Sequence, residues 1–206
     1  MKFMRRIYDW VLSWAESPYG TVALFILAMS ESIFFPVPPD VLLIALAIGM
    51  RRKALFYGLV CLGGSVAGAM LGYLIGYSAW WTSAGEYSGF ALFFFQIIPG
   101  FTVERFVMIQ HWYEQYNFWI IFTAGFTPIP YKIFTLTAGA SAIDFTMFLI
   151  ASIVSRGARF MLISALLYHF GKPINSFINR YFNLLAVVFT ILLIGGFILL
   201  KFVFGH

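Results

Sequence analysis

One feature limits what this chain can fold into more than any other: apolar segments follow one another from residue 21 to residue 203 with only short polar breaks. Only 10% of the 206 residues are charged, whereas a soluble domain of this size carries roughly a quarter. That leaves too little polar surface to cover a globule in water. The pattern therefore predicts a single all-α integral membrane domain, because helices satisfy their own backbone hydrogen bonds in lipid.

Two of the apolar segments are broken by proline-rich tips of similar sequence. The first tip reads P-V-P-P-D over residues 36–40, and the second reads P-I-P-Y-K over residues 128–132, a shift of 92 residues (128 − 36). Proline removes a backbone donor and breaks a continuous helix. We expect apolar arms at residues 21–35 and 41–49 around the first tip, and at 118–126 and 133–139 around the second. An apolar run long enough to span the bilayer follows each, although chance recurrence is the alternative to a true repeat.

The positions of basic residues predict how the first broken segment enters the membrane. Basic residues precede it at Lys2, Arg5 and Arg6 and follow it at residues 51–53. Basic clusters favour the cytoplasmic side, so we expect this segment to dip in and return as a re-entrant hairpin, with the N-terminus cytoplasmic. One crossing helix then inverts the second copy. Inverted repeats with discontinuous helices are typical of secondary transporters.

The whole chain is interpreted as five consecutive parts of one membrane domain. The parts are an interfacial amphipathic helix (1–20), repeat 1 (21–81), a polar connector with a second interfacial helix (82–117), repeat 2 (118–171), and a connector with a final span (172–206). In repeat 1, glycine recurs every fourth residue at Gly64, Gly68, Gly72 and Gly76. Such a stripe predicts the close approach of another helix.

Five charged residues fall where membrane depth is expected. Glu31 lies on the first arm, Asp40 and Lys132 lie at the two tips, and Arg156 and Arg159 lie near the middle of the second spanning helix. The two arginines share one helix face, because they are three residues apart. Charges at this depth are costly without partners. Two interpretations stay open: an ion-pair network between the arginines and the acids, or a cationic site for a phosphate-type headgroup with an acid that exchanges protons.

Several other classes of function find no support in the sequence. It contains no G-x-S-x-G, H-E-x-x-H or P-loop motif, so we expect no enzyme. The 13 basic residues are scattered, which argues against nucleic-acid binding. The lone Cys61 can form neither an intrachain disulfide nor a metal site. We expect no cofactor.

Two stretches resemble the DedA family, most closely its YqaA-like branch, which shares the VTT or SNARE-associated membrane domain. They are G-F-T-P-I-P-Y-K-I-F-T-L-T-A-G-A (residues 125–140) and the E-x8-D hairpin around P-V-P-P. The resemblance covers roughly residues 31–171. It implies two facing re-entrant hairpins and movement of lipids across the bilayer, with undecaprenyl phosphate or phospholipid as the expected bacterial substrate.

The resemblance also suggests which residues act. The acids typical of the family's first hairpin match Glu31 and Asp40, whereas its two arginines near the second tip are replaced here by Gly125 and Tyr131. Lys132 is the only cation left at that tip.

The expected function is therefore a flippase or scramblase in the bacterial inner membrane, with membrane lipids as partners. The expected substrate-binding residues are Lys132, Tyr131, Arg156 and Arg159; the proton or charge-balancing residues are Glu31 and Asp40; the tips are shaped by Pro36, Pro38, Pro39, Pro128 and Pro130. Proton coupling and homo-oligomerisation stay open. The alternatives are a small-ion or solute carrier and a membrane scaffold that transports nothing.

Overall fold

The computed structural model describes Trp10 and residues 13–97, 101–116, 118–127 and 130–171, and within them every regular element is a helix. The α-helices are α1 (Gly20–Glu31), α2 (Asp40–Gly49), α3 (Ala54–Ala79), α4 (Gly89–Ile97), α5 (Val103–Tyr116), α6 (Phe118–Phe126), α7 (Tyr131–Ala140) and α8 (Phe145–Phe170). Short 3-10 turns lie at Trp14–Glu16 and Arg51–Lys53. Most of the predicted N-terminal interfacial helix and the predicted final span lie outside the described residues.

Two helices are long and apolar enough to cross a membrane: α3 with its preceding turn (29 residues) and α8 (26 residues). They run antiparallel. At one end, Arg51 donates from its guanidinium to the carbonyls of Tyr168 and His169. At the other end, the ring of Tyr73 lies 5.1 Å from the ring of Phe145. The chain is thus a helical protein with two candidate membrane spans.

A pair of short helices precedes each long helix, and a break separates the members of each pair. The first break covers residues 32–39 and the second covers residues 127–130. The prediction that the first arm reaches Phe35 is wrong, because α1 ends at Glu31. The carbonyl of Ser30 accepts the N–H groups of Ile33 at 3.1 Å, Phe34 at 2.8 Å and Phe35 at 2.9 Å, so three donors converge on one carbonyl and the regular hydrogen-bond ladder ends there. Glu31 therefore stands at the edge of the break.

Both pairs pack on α3 through the predicted glycine stripe. A Cβ at Gly64 would collide with the carbonyl of Phe25, and one at Gly68 with the carbonyl of Met29. Since these contacts occur in the same order along both helices, α1 runs parallel to α3. Further along the stripe, a Cβ at Gly76 would collide with the backbone of α7. The predicted close approach is confirmed, and a single stripe receives two helices.

The first helix of the second pair, α6, packs along α8 instead. A Cβ at Gly125 would collide with the hydroxyl of Ser155, and one residue later the carbonyl of Phe126 lies 3.2 Å from Arg159 Nη1. Both sequence positions increase together, so α6 runs parallel to α8. Each long helix thus carries the first member of one pair, while α7 crosses over to α3.

Candidate functional site

The two long helices meet at matched positions in their middles. Ser65 is the twelfth residue of α3 (65 − 54 + 1), and Arg156 is the twelfth residue of α8 (156 − 145 + 1). Arg156 Nε donates to Ser65 Oγ at 2.7 Å, and both side chains are buried. A guanidinium therefore lies halfway along both candidate spans.

Besides Ser65, Arg156 contacts one carboxylate and two aromatic rings among the described residues. Its Nη2 donates to Glu31 Oε2 at 2.5 Å. Its guanidinium carbon lies 4.9 Å from the ring centre of Tyr131 and 4.8 Å from that of Phe160. Such stacking on two aromatic faces stabilises a desolvated cation. The side chain of Glu31 is 15% exposed, and its Oε1 has no hydrogen bond to a described residue.

Arg159 makes a two-pronged contact with Asp40. Its Nε lies 3.2 Å from Oδ1 and its Nη2 lies 2.9 Å from Oδ2. The third nitrogen, Nη1, donates to the carbonyl of Phe126. Arg159 therefore joins the start of α2 to the end of α6, and Asp40, 5% exposed, has both oxygens engaged. The ion pairs that the network interpretation expects between the two arginines and Glu31 and Asp40 are present, and a headgroup site at the same residues stays a prediction.

Lys132 reaches across to the other helix break. Its Nζ lies 3.1 Å from the carbonyl of Phe34 and 3.5 Å from that of Phe35. Within the described part of the chain, no carboxylate lies within ion-pair distance of it. Phe34 and Phe126 are themselves 92 residues apart, so carbonyls at matched positions of the two repeats both accept from a cation. Phe34 accepts from Lys132 of the second repeat, and Phe126 accepts from Arg159 of its own repeat.

Tyr131 occupies a different place from the one expected of a substrate-binding residue. It is fully buried, its hydroxyl lies 2.5 Å from Ser152 Oγ, and its ring lies against Arg156. In this structure it positions the arginine. Its contact with a substrate stays a prediction.

The tip prolines lie where fixed backbone angles help a helix to begin. Pro39 is buried directly before α2, and Pro130 is exposed directly before α7. Pro36 and Pro38 are exposed in the first break, and Pro128 lies outside the described residues. Asp40 is the first residue of α2, where the positive end of the helix dipole favours an acid.

Sequence reasoning missed the neutral polar groups of the cluster. Ser32 and Ser65 lie 3.0 Å apart through their hydroxyls, and Thr135 Oγ1 donates to the carbonyl of Ser32 at 3.0 Å. From sequence alone, Ser65 is indistinguishable from an ordinary packing serine. The feature that could have pointed to its contact with Arg156 is its position, because each is the twelfth residue of a helix of equal length. The cluster as a whole carries three cations and two acids, a net charge of +1 (3 − 2).

Two bacterial proteins resemble this chain along nearly its whole length. An uncharacterized protein of Haemophilus influenzae is 30% identical over 203 residues, which cover 98% of this chain and 100% of the relative. An uncharacterized protein of Histophilus somni is 31% identical over 207 residues, with the same coverage. No family model matches the chain. No solved structure matches it either.

Proposed function

We propose that this chain, which belongs to the same family as these two uncharacterized bacterial proteins, is a membrane transporter that moves a phosphate-bearing lipid across the bilayer. One observation carries the proposal: a cluster of two ion pairs and Lys132, in which Asp40 and Arg156 are buried and the other three residues partly exposed, lies at the middle of two candidate spans, where two helix breaks meet. Ionisable groups at such depth are costly and mark transport pathways.

The two helix pairs form the inverted re-entrant repeat in this proposal. Three packing directions support it: α1 runs parallel to α3, α6 runs parallel to α8, and α3 and α8 are antiparallel. The two pairs therefore enter from opposite ends of the long helices. Each short helix has 9 to 12 residues, or roughly 14–18 Å at 1.5 Å per residue. That is about half of the ~30 Å hydrocarbon core, so each pair turns back near the midplane.

The phosphate binds first at Lys132. This residue is the cation of the cluster without a carboxylate partner among the described residues, and the net charge of +1 favours a monoanion. Lys132 also follows the first residue of α7, whose N-terminus adds partial positive charge. Next, the anion competes with Glu31 for Arg156. Glu31 then takes up a proton, because one of its oxygens is already free of hydrogen bonds to the described residues and its side chain is partly exposed.

The resemblance to the DedA family supports undecaprenyl phosphate or phospholipid as the substrate. This chain departs from the family pattern at the second tip, where Gly125 and Tyr131 replace two arginines. Gly125 lies against Ser155 so closely that even a Cβ would collide, and an arginine does not fit there. Lys132 provides the cation at this tip instead. We place the protein in the bacterial inner membrane with the exposed Arg51–Lys53 turn cytoplasmic, in line with the positive-inside rule.

The test is lipid translocation in vesicles that contain only this protein. Fluorescent phosphatidylglycerol and undecaprenyl phosphate are the probes, and inorganic phosphate is the water-soluble comparison. Lys132→Gln should slow lipid translocation about tenfold, the equivalent of one charge-assisted hydrogen bond. Lys53→Gln, an exposed change outside the cluster, should leave it unchanged. Transport of inorganic phosphate without lipid would favour a solute carrier, and no transport of either would favour a scaffold.

Proton coupling has its own test. With an imposed pH gradient, Glu31→Gln should abolish the response to the gradient and leave slower equilibration. Asp40→Asn should instead lower stability, because both oxygens of Asp40 hold Arg159. If wild-type rates ignore the gradient, the protein is a passive scramblase and the role assigned to Glu31 is wrong.

A further inference from the structure

An apolar groove of about 390 Å³ runs along one face of α1, a volume in the usual range for small-molecule sites. Tyr19, Ala23, Ile26 and Ser30 line it at helical spacing, with Trp14 at one end and Phe35 at the other. Every lining residue except Ser30 is hydrophobic or aromatic, and the hydroxyl of Ser30 already donates to the carbonyl of Leu27 at 3.0 Å. The groove therefore suits hydrocarbon better than a polar ligand.

The groove is open along the outer face of α1 and not only at its end near the charge cluster. Val22 and Ile26 line it and are 56% and 52% exposed. If α3 and α8 cross the bilayer, the medium that reaches these side chains is lipid. From Tyr19 to Ser30 the helix rises over 11 residues (30 − 19), or about 17 Å. This length is close to the hydrocarbon depth of one leaflet, which is about 15 Å.

The two ends of the groove differ in chemistry, and that difference sets a direction. Trp10 and Trp14 form an edge-to-face pair at one end, with ring centres 5.7 Å apart. Tryptophan prefers the membrane interface. The indole N–H of Trp14 is buried and has no acceptor among the described residues. An oxygen of a lipid's ester or headgroup region can accept from it, whereas an all-hydrocarbon occupant cannot.

We propose that this groove holds one acyl chain of a membrane lipid, with the carbonyl end beside Trp14 and the methyl end beside Phe35. This inference rests on the membrane placement in the proposed function, but it does not depend on transport. It adds a lipid site distinct from the charged cluster. The two are adjacent, because the carbonyl of Phe35 lies 3.5 Å from Lys132 Nζ. In this orientation the methyl end of the chain lies beside Lys132, and the headgroup stays at the Trp14 end of the groove.

In the second helix pair, α7 is covered by another helix. There α5 packs on α7, and the buried Tyr113 donates its hydroxyl to the carbonyl of Phe134 at 2.7 Å. The cavity beside α5 is lined mainly by polar groups, Glu114 and Asp144 among them, so it differs in chemistry from the apolar groove along α1.

Photocrosslinking with a zwitterionic lipid tests the proposal independently of Lys132. The full chain is reconstituted in phosphatidylcholine vesicles that contain a little phosphatidylcholine with one diazirine, either near the carbonyl or at the methyl end of an acyl chain. The first probe should label Trp14 and Tyr19, and the second should label Phe35. Labelling should exceed that of the lipid-facing Leu59 and Leu74, which are more exposed than Trp14 and Phe35, by at least about fivefold. Equal labelling everywhere, or the reverse pattern, would overturn the proposal.

Filling the groove provides the matched variant. Ala23→Phe should reduce the labelling of Phe35 to the level of Leu59, whereas Ala158→Phe, at an exposed position on α8 outside the groove, should not. If Ala23→Phe fails to fold, Ile26→Trp fills the same space from a more exposed position. Unchanged labelling in a folded, filled variant would contradict the site.

Failure of this site and failure of the proposed function give different results. Directional labelling in a protein that translocates no lipid would retain the chain site and refute the transporter. Translocation with uniform labelling would do the opposite.

Discussion

The two helix pairs lean on the same helix, α3, but different chemistry fixes each of them. The first pair, α1 and α2, is held by charges: Glu31 pairs with Arg156, and Asp40 pairs with Arg159. The second pair, α6 and α7, forms no ion pair among the described residues. Its charged contacts are with carbonyls, from Arg159 to Phe126 and from Lys132 to Phe34, and two neutral donors hold α7. The hydroxyl of Tyr113 and the indole N–H of Trp81 donate to carbonyls at 2.7 and 2.8 Å, respectively.

The difference indicates which half of the molecule responds to its surroundings. An ion pair in a medium of low dielectric changes strongly when one partner gains a proton or meets a competing anion. A neutral hydrogen bond between a hydroxyl and a carbonyl near neutral pH is weakened neither by a proton nor by an anion in this way. Under the proposed function, the second pair is therefore the fixed frame, and the first pair is the part that a proton or a phosphate would release. Substitutions in the two helix pairs should therefore differ in their effects.

The largest effect is expected from Arg159→Ala in the first pair. It removes both hydrogen bonds that Arg159 donates to the buried carboxylate of Asp40. This loss should lower the free energy of unfolding by about 3–5 kcal/mol. Unfolding in detergent micelles measures it. Adding Asp40→Asn should recover part of the loss. Strict additivity of the two changes would refute the pairing, and the exposed Arg52→Ala should change stability by less than about 0.5 kcal/mol.

Glycine replacement should affect the two pairs equally, because both rest on the stripe by contact alone. Gly68→Ala pushes against α1, and Gly76→Ala pushes against α7. Each should cost about 1–3 kcal/mol through overpacking. Gly63→Ala is the control, since its Cβ would lie 3.7 Å from the ring of Phe25, an ordinary contact. It should be neutral or stabilising by up to about 1 kcal/mol. A Gly68→Ala variant as stable as Gly63→Ala would show that α1 is not seated on the stripe.

A smaller effect is expected from Tyr131→Phe in the second pair. The change removes one neutral hydrogen bond, while the hydroxyl of Ser152 still donates to the carbonyl of Phe148 at 2.7 Å. We expect a loss of about 1 kcal/mol in the free energy of unfolding. A loss as large as that of Arg159→Ala would show that the neutral hydrogen bonds of the second pair matter as much as the ion pairs of the first.

The smallest effect is a dependence on alkaline pH that belongs to the second pair. Burial raises the pKa of Tyr113 well above its ordinary value of 10.0. The unfolded chain therefore releases this proton first, and the stability contributed by Tyr113 is complete below about pH 10 and declines above it. The slope is at most about 1.4 kcal/mol per pH unit. Comparing Tyr113→Phe with wild type isolates the effect, and parallel stability curves above pH 10 would contradict it.

The helices were largely predictable because proline and apolar length are strong local signals. The bounds of α6 are those that the sequence predicts for the third arm, residues 118–126. The end of α1 was not, because Ser30 closes the helix through its own carbonyl and no proline stands nearer than Pro36. The break is therefore four residues longer at its start than the sequence indicated.

The residues of the charge cluster were predictable, but which acid pairs with which arginine was not. The sequence identifies two arginines and two acids at similar depth, and depth alone requires them to pair. Which acid takes which arginine depends on how α1 and α2 are placed against α8, a long-range matter. The same is true of Tyr131, whose place near a tip suggested a ligand contact while packing buried it beneath Arg156.

The span of sequence between the paired charges has a consequence for how the protein is made. Glu31 and Arg156 are 125 residues apart, and Asp40 and Arg159 are 119 apart. A ribosome that adds 5–20 residues per second needs roughly 6–25 seconds to deliver the arginines after the acids. If α3 and α8 cross the bilayer as proposed, the first two short helices carry two acids without these partners until then. We therefore expect the N-terminal half of the nascent chain to reach its final depth only after α8 has been made.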